Sequence, residues 1–348
     1  MRPPAIPRDR VHRVLVRCPN WLGDTVMAVP AIRALRGALP TAELWCLGPW
    51  AEPVLEAEPG IDRRLPYPRR WSARAGLVRD LRRARLDLAL LLPNSFEAAL
   101  FARLAGARWR VGYAGDGRAA FLTHPLPPKA GRQHQVEAYL ALLAPLGSAA
   151  ILTTPTLAVT AARQAEARGL LAAAGLDPGR RAVAIQLGAA FGPSKLWPEA
   201  QLADLARRLE DGGTPVVFLG GPGSAPLARA VEAALGRPAR SLVGRDHPGV
   251  LPALLAEFAL LVAPDSGPAH VAAAVGTPVV TLFGPTDPRL TAPVGDGHAA
   301  LWTRPPCAPC FRPRCPIDHR CLRALSVDDV LSAVRARLPS SSARSARS

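Results

Sequence analysis

The chain has 348 residues, 49% hydrophobic and 20% charged, and its 43 Lys and Arg against 27 Asp and Glu give a net charge of +16. At about 150 residues per domain, that length predicts two domains, each able to bury a core without staples. No apolar run reaches the roughly 18 residues of a membrane span, and residues 1–20 hold no signal-like apolar stretch, which argues against an integral membrane protein, a secreted disulfide scaffold or a disordered chain.

Short apolar runs alternate with helical patterns along the chain. His12–Arg17 reads as a strand, Asp24–Ala38 as a helix and Glu43–Leu47 as the next strand. Leu77–Arg85 is an amphipathic helix, Leu86–Leu92 an apolar strand and Val136–Leu146 a helix. After a turn-rich stretch near Gly147–Pro155 comes helix Ala161–Ala174. The rhythm then restarts with strand Ala182–Leu187, helix Glu199–Glu210, strand Pro215–Leu219 and helices Ala225–Leu235 and Val250–Glu257. Strand Phe258–Ala263, a short helix over His270–Val275, strand Pro278–Phe283 and a last helix Val327–Leu338 complete it. Alternation of this kind predicts parallel sheets covered on both faces, in two Rossmann-like α/β halves. The expected domains are 1–170 and 171–339, with a Cys-rich loop at 307–321 and a disordered Ser/Ala/Arg tail at 340–348.

A basic surface suits nucleic acid, an anionic membrane face or an acidic substrate. Lys129 and Lys195 are the only lysines among the 43 basic residues, so GC-rich codon usage accounts for part of the arginine excess. The aromatic residues do not interleave with basic runs, and no nucleic-acid partner is expected.

Ligands of open α/β sheets bind beyond the carboxyl ends of strands, so the loops there carry the candidate chemistry. The first, Cys18-Pro-Asn-Trp-Leu-Gly-Asp24, lacks the G-x-G-x-x-G of a dinucleotide site, which disfavours an NAD oxidoreductase or nucleotide-sugar epimerase. Asp24 stands where a helix starts; it reads either as an N-cap or as a general base facing a cleft. The second loop, Leu187 to Pro198, combines small residues such as Gly188 with the point charge of Lys195, a combination suited to phosphate. The third, Val217 to Ser224, is a Gly-rich turn of little specificity. In the fourth, Asp265-Ser266-Gly267 ends a strand and opens a helix whose N–H groups and dipole favour an anion, and His270 lies one turn on.

Cys307-x2-Cys310-x4-Cys315-x3-His319-x-Cys321 has the density of a metal-ligand set. It reads as a structural zinc knob or as a reduced or disulfide-linked loop. A catalytic role is not expected, because a fully coordinated zinc has no open position.

Asn20-Trp-Leu-Gly-Asp24, Leu92-Pro-Asn-Ser-Phe96, Gly188-Ala-Ala-Phe-Gly-Pro-Ser-Lys-Leu-Trp-Pro198, Asp265-Ser-Gly-Pro-Ala-His270 and Phe283-Gly-Pro-Thr286 stand in the order of a known family. Over about residues 12–335 the chain resembles glycosyltransferase family 9, the heptosyltransferases of lipopolysaccharide core synthesis. The resemblance implies a GT-B architecture, two Rossmann-like domains facing a cleft, with acceptor in the first and nucleotide sugar in the second. It implies inverting transfer of heptose from ADP-heptose to the first heptose of the inner core, with no cofactor required for catalysis. Asp24 matches the family's general base and Lys195 its phosphate-binding lysine. Asp265, Ser266, Gly267 and His270 match its donor loop, with Gly188 also on the donor side. Asn20, Asn94 and Lys129 are assigned to the acceptor side. Gly220–Pro226 lacks the acidic residue that relatives often carry, so no ribose contact is assigned. The implied acceptor is a lipid A-core glycolipid at the membrane surface, which predicts a cytoplasmic protein, peripheral on the inner face. Two other readings stay open: a family 9 enzyme with a different sugar acceptor, and a basic nucleic-acid binder with a zinc knob.

Overall fold

The computed structural model describes residues 4–128, 131–148, 151–176 and 182–338. Lys129 and the tail at 340–348 therefore lie outside the described residues. The chain divides into two units at Pro155/Thr156. The expected boundary after residue 170 would cut helix Ala161–Ala173. That helix packs against helix Leu251–Ala256 and so belongs to the second unit.

The first unit is built on six parallel strands: β1 (Arg13–Arg17), β2 (Glu43–Leu47), β3 (Arg63–Leu65), β4 (Leu88–Leu91), β5 (Trp109–Tyr113) and β6 (His124–Leu126). Their order is β3-β2-β1-β4-β5-β6. The four residues of β4 are all buried, as a sheet covered on both faces requires. Strands β3, β5 and β6 escaped the sequence reading, because they are short, charged or interrupted by Gly and Pro, and helix Phe96–Leu104 escaped it too. The single helix expected over Asp24–Ala38 is two, Leu22–Met27 and Val29–Ala38. Pro30 causes the break: it has no N–H for the carbonyl one turn before it.

The second unit has five parallel strands: β7 (Val183–Gln186), β8 (Val216–Leu219), β9 (Leu260–Pro264), β10 (Val279–Phe283) and β11 (Ala299–Trp302). Their order is β11-β10-β9-β7-β8. Its core gathers Ile185, Phe218, Val262 and Leu282 from the sheet, Leu205 and Leu209 from helix Glu199–Asp211, and Cys321, Leu322 and Val330 from the C-terminal segment.

Both orders are doubly wound, and each has one place where the winding reverses. In the first unit that is between β1 and β4; in the second it is between β7 and β9. At these positions neighbouring loops diverge above the sheet and leave a crevice at the strand ends. No helix among the described residues is long and apolar enough to cross a membrane.

Candidate active site

The second unit places Lys195 and Asp265 together at its reversal point. Lys195 ends a short 3-10 turn, Pro193–Lys195, in the loop after β7, and Asp265 follows β9 directly. Lys195 Nζ donates to Asp265 Oδ2 (2.6 Å) and to the Asp265 carbonyl (2.9 Å). The ammonium also lies 4.9 Å from the centre of the Phe191 ring. Thr286 Oγ1 donates to the same Oδ2 at 2.7 Å, and Thr291 Oγ1 reaches Oδ1 at 3.4 Å. Asp265 is thus a buried counter-ion that orients the lysine, and two of three ammonium protons are engaged by it. Thr286 stands in the Phe283-Gly-Pro-Thr286 motif, so the sequence marked its position but not its partner.

Ser266 caps helix Gly267–Ala274 by position only; its side chain makes no cap bond. Ser266 Oγ is buried and has no hydrogen-bond partner among the described residues. Pro268 sits in the first turn, where its missing N–H costs nothing. His270 is buried in the same helix, 6% exposed. At Gly188 a Cβ would stand 2.7 Å from Ser224 Oγ, so that glycine lets the loops after β7 and β8 pack together.

In the first unit, Asn20 and Asp24 follow β1 and Asn94 follows β4. The register Arg17↔Leu91 makes these loops neighbours at the reversal point. Asp24 is the third residue of helix Leu22–Met27 and not its N-cap, which is Trp21. Tyr139 Oη, from helix Gln135–Ala141, donates to Asp24 Oδ1 at 3.0 Å. Burial, and then the Asp24 charge, push the Tyr139 hydroxyl well above the ordinary tyrosine range, so it stays a donor. Asn20 Oδ1 accepts from Arg17 Nη2 at 2.6 Å, and Asn94 Oδ1 from Arg118 Nη2 at 2.8 Å. Arg17 is fully buried and stacks 3.9 Å from the Tyr67 ring centre, and Tyr67 donates to Glu97. Burial and that carboxylate push Tyr67 up to about 12. The sequence reading missed Tyr139 and Tyr67, although only three tyrosines occur in the chain and such scarcity was a usable signal.

Cys307, Cys310, Cys315 and Cys321 are free thiols. With His319 they line one cavity of about 330 Å³ that also touches Ser194 and Gly284. Among the described residues no three His, Cys, Asp or Glu side chains are placed to hold a metal ion. His319 Nε2 lies 2.6 Å from the Ser194 carbonyl, and the His319 backbone N–H donates to Cys315 Sγ.

One reversal point thus holds a lysine–aspartate pair beside a helix start, and the other a tyrosine-held carboxylate. Residues 74–320 match the model of glycosyltransferase family 9 (heptosyltransferase). The chain belongs to that family. It is a glycosyltransferase, with two parallel-sheet α/β domains of GT-B type. Lipopolysaccharide heptosyltransferase 2 of Escherichia coli K12 is 32% identical over 300 residues, 81% of this chain and 85% of that one. An Escherichia coli lipopolysaccharide heptosyltransferase 3 is 30% identical over 92% of this chain and 97% of its own length. The solved structure of Escherichia coli ADP-heptose lps heptosyltransferase II superposes with a TM-score of 0.79 at 28% identity, covering 93% of this chain and 98% of that one.

Proposed function

We propose that this glycosyltransferase transfers heptose from ADP-heptose to the first heptose of the lipopolysaccharide inner core, with inversion at the transferred carbon. The relatives' names supply the sugar and the acceptor class; the Lys195–Asp265 pair at the second reversal point carries the donor side. An ammonium held against a buried carboxylate cannot swing away, and its remaining proton serves a diphosphate oxygen. The Ser266 hydroxyl and the N–H groups opening helix Gly267–Ala274 are the next donors along the same loop. Together they meet the charge that grows on the leaving ADP as the glycosidic bond breaks. Gly188 and His270 flank this loop set on the donor side.

Asp24 is the general base. It accepts the proton that the attacking acceptor hydroxyl loses as the new C–O bond forms. Tyr139 fixes the direction of one of its oxygens. Asn20 and Asn94, held by Arg17 and Arg118, serve the acceptor side, together with Lys129. The acceptor is a lipid A-core glycolipid, which brings the enzyme to the inner membrane face. The arginine-rich surface suits that anionic lipid, at about 1 kcal/mol per cation near it. No cofactor enters this chemistry.

The test is product formation from ADP-heptose with acceptors carrying no heptose or one. Product with the one-heptose acceptor alone is the expected outcome. Product with the heptose-free acceptor alone would assign a different transfer step within the family.

A further inference from the structure

The Cys-rich segment binds the loop that carries Lys195 and the loop that carries Thr286, which bonds Asp265. On one side, Ser194 Oγ donates to the Arg312 carbonyl (2.6 Å) and Ser194 N–H to the Pro313 carbonyl (3.1 Å). The Ser194 carbonyl in turn lies 2.6 Å from His319 Nε2. A carbonyl oxygen only accepts, so the ring proton sits on Nε2. Ser194 is buried, 3% exposed, and each of these bonds belongs to the residue next to Lys195. At Gly192, with φ of +144°, a Cβ would stand 2.4 Å from the Pro313 carbonyl, so only glycine lets the two segments meet. On the other side, Phe311 N–H donates to the Pro285 carbonyl (2.9 Å), one residue before the Thr286 that bonds Asp265. The far end of the segment is anchored in the core through Cys321 and Leu322.

We propose that segment 307–321 is a strut that positions Lys195 for the donor diphosphate, with His319 and Ser194 as its positioning residues. The proposal rests on Lys195 being a donor ligand. A three-residue turn has little rigidity of its own. A lysine on it would have to be ordered at each binding event, and the strut removes that cost in advance. His319 has a left-handed backbone, φ of +61°, which turns the chain from the Cys loop into helix Arg320–Arg323.

The test uses ADP as probe, by calorimetric titration of the full chain, with the melting temperature of each variant measured alongside. Ser194→Ala and His319→Ala should each weaken ADP binding about 5-fold, the size of one lost hydrogen bond. His319→Gln keeps an N–H donor near the Nε2 position and should recover most of the affinity. In a Lys195→Ala background the same two substitutions should change ADP affinity little, because the strut acts through the lysine. A merely structural segment would lower the melting temperature and leave ADP affinity of the folded protein intact. Wild-type ADP binding by both Ser194→Ala and His319→Ala, with Lys195→Ala weakened, overturns the strut and leaves the donor site standing. Effects that persist in full beside Lys195→Ala overturn it too. Wild-type binding by Lys195→Ala itself overturns the donor assignment, and the strut with it.

Discussion

The two reversal points use opposite means to hold their polar groups. At the second, Lys195 and Asp265 are 11% and 7% exposed in their side chains, and each bonds the other. At the first, Asn20 and Asn94 are exposed, Trp21 beside them is 55% exposed, and buried arginines hold both amides from below. A small, dense charge such as a diphosphate suits the buried arrangement of the second, where a low local dielectric strengthens each contact. A large glycolipid headgroup suits an open surface with adaptable amides. The comparison teaches that one doubly wound plan can hold its polar groups rigidly or leave them open, by changing what lies under the loops.

The largest expected effect breaks the comparison at Asp24. Asp24→Asn should lower kcat by at least ~100-fold, the lower end of general-base losses, with little change in stability. Because Asp24 is not the helix N-cap, no capping loss enters the comparison. Steady-state kinetics with saturating donor check it. Next is Lys195→Ala, which should cost about 10–150-fold in kcat/KM, as expected for one charge-assisted contact. Lys195→Arg should also lose activity, though less, since a planar guanidinium cannot pack against Asp265 as an ammonium does. Wild-type kinetics in Lys195→Ala would make the lysine a structural ion pair only.

A smaller effect sharpens the acceptor side. Tyr139→Phe removes a bond that aims Asp24, and kcat should fall about 5-fold with ADP binding unchanged. The smallest prediction concerns an exception to the paired charges of the second unit. Asp246 Oδ1 is buried without a hydrogen-bond partner among the described residues, and burial pushes the carboxyl up to about 6. The unfolded chain releases this proton near ~3.9, and the folded protein releases it only near 6. Stability therefore falls as pH rises through that window and stays reduced above it. Asp246→Asn should gain on the order of 1 kcal/mol at pH 8, discounted for partial exposure, and nothing at pH 3.5. Urea denaturation at the two pH values checks this, and an equal gain at both contradicts it.

Much of the second unit was legible because its strands are short apolar runs that end in loops with Gly or Pro. The run Val279–Phe283 differs from its expected span by one residue, and helix Ala225–Leu235 by none. The first unit was less legible: Arg63–Leu65 and His124–Leu126 become strands only because neighbours supply their hydrogen bonds. The site divides in the same way. Lys195 and Asp265 stood in motifs, but their mutual pairing depends on β7 and β9 being neighbours, which no local pattern encodes. The Cys-rich loop shows the converse. Its ligand-like spacing is local and readable, while the contact of His319 with Ser194, a residue more than a hundred positions away, is written nowhere near it.

The division of labour between the two reversal points is tested most directly by ADP titration of Asp24→Asn and Lys195→Ala beside turnover of each. The account predicts that Asp24→Asn binds ADP as wild type does and barely turns over, whereas Lys195→Ala loses ADP affinity by about tenfold or more. Loss of ADP binding in Asp24→Asn, or wild-type affinity in Lys195→Ala, would contradict it.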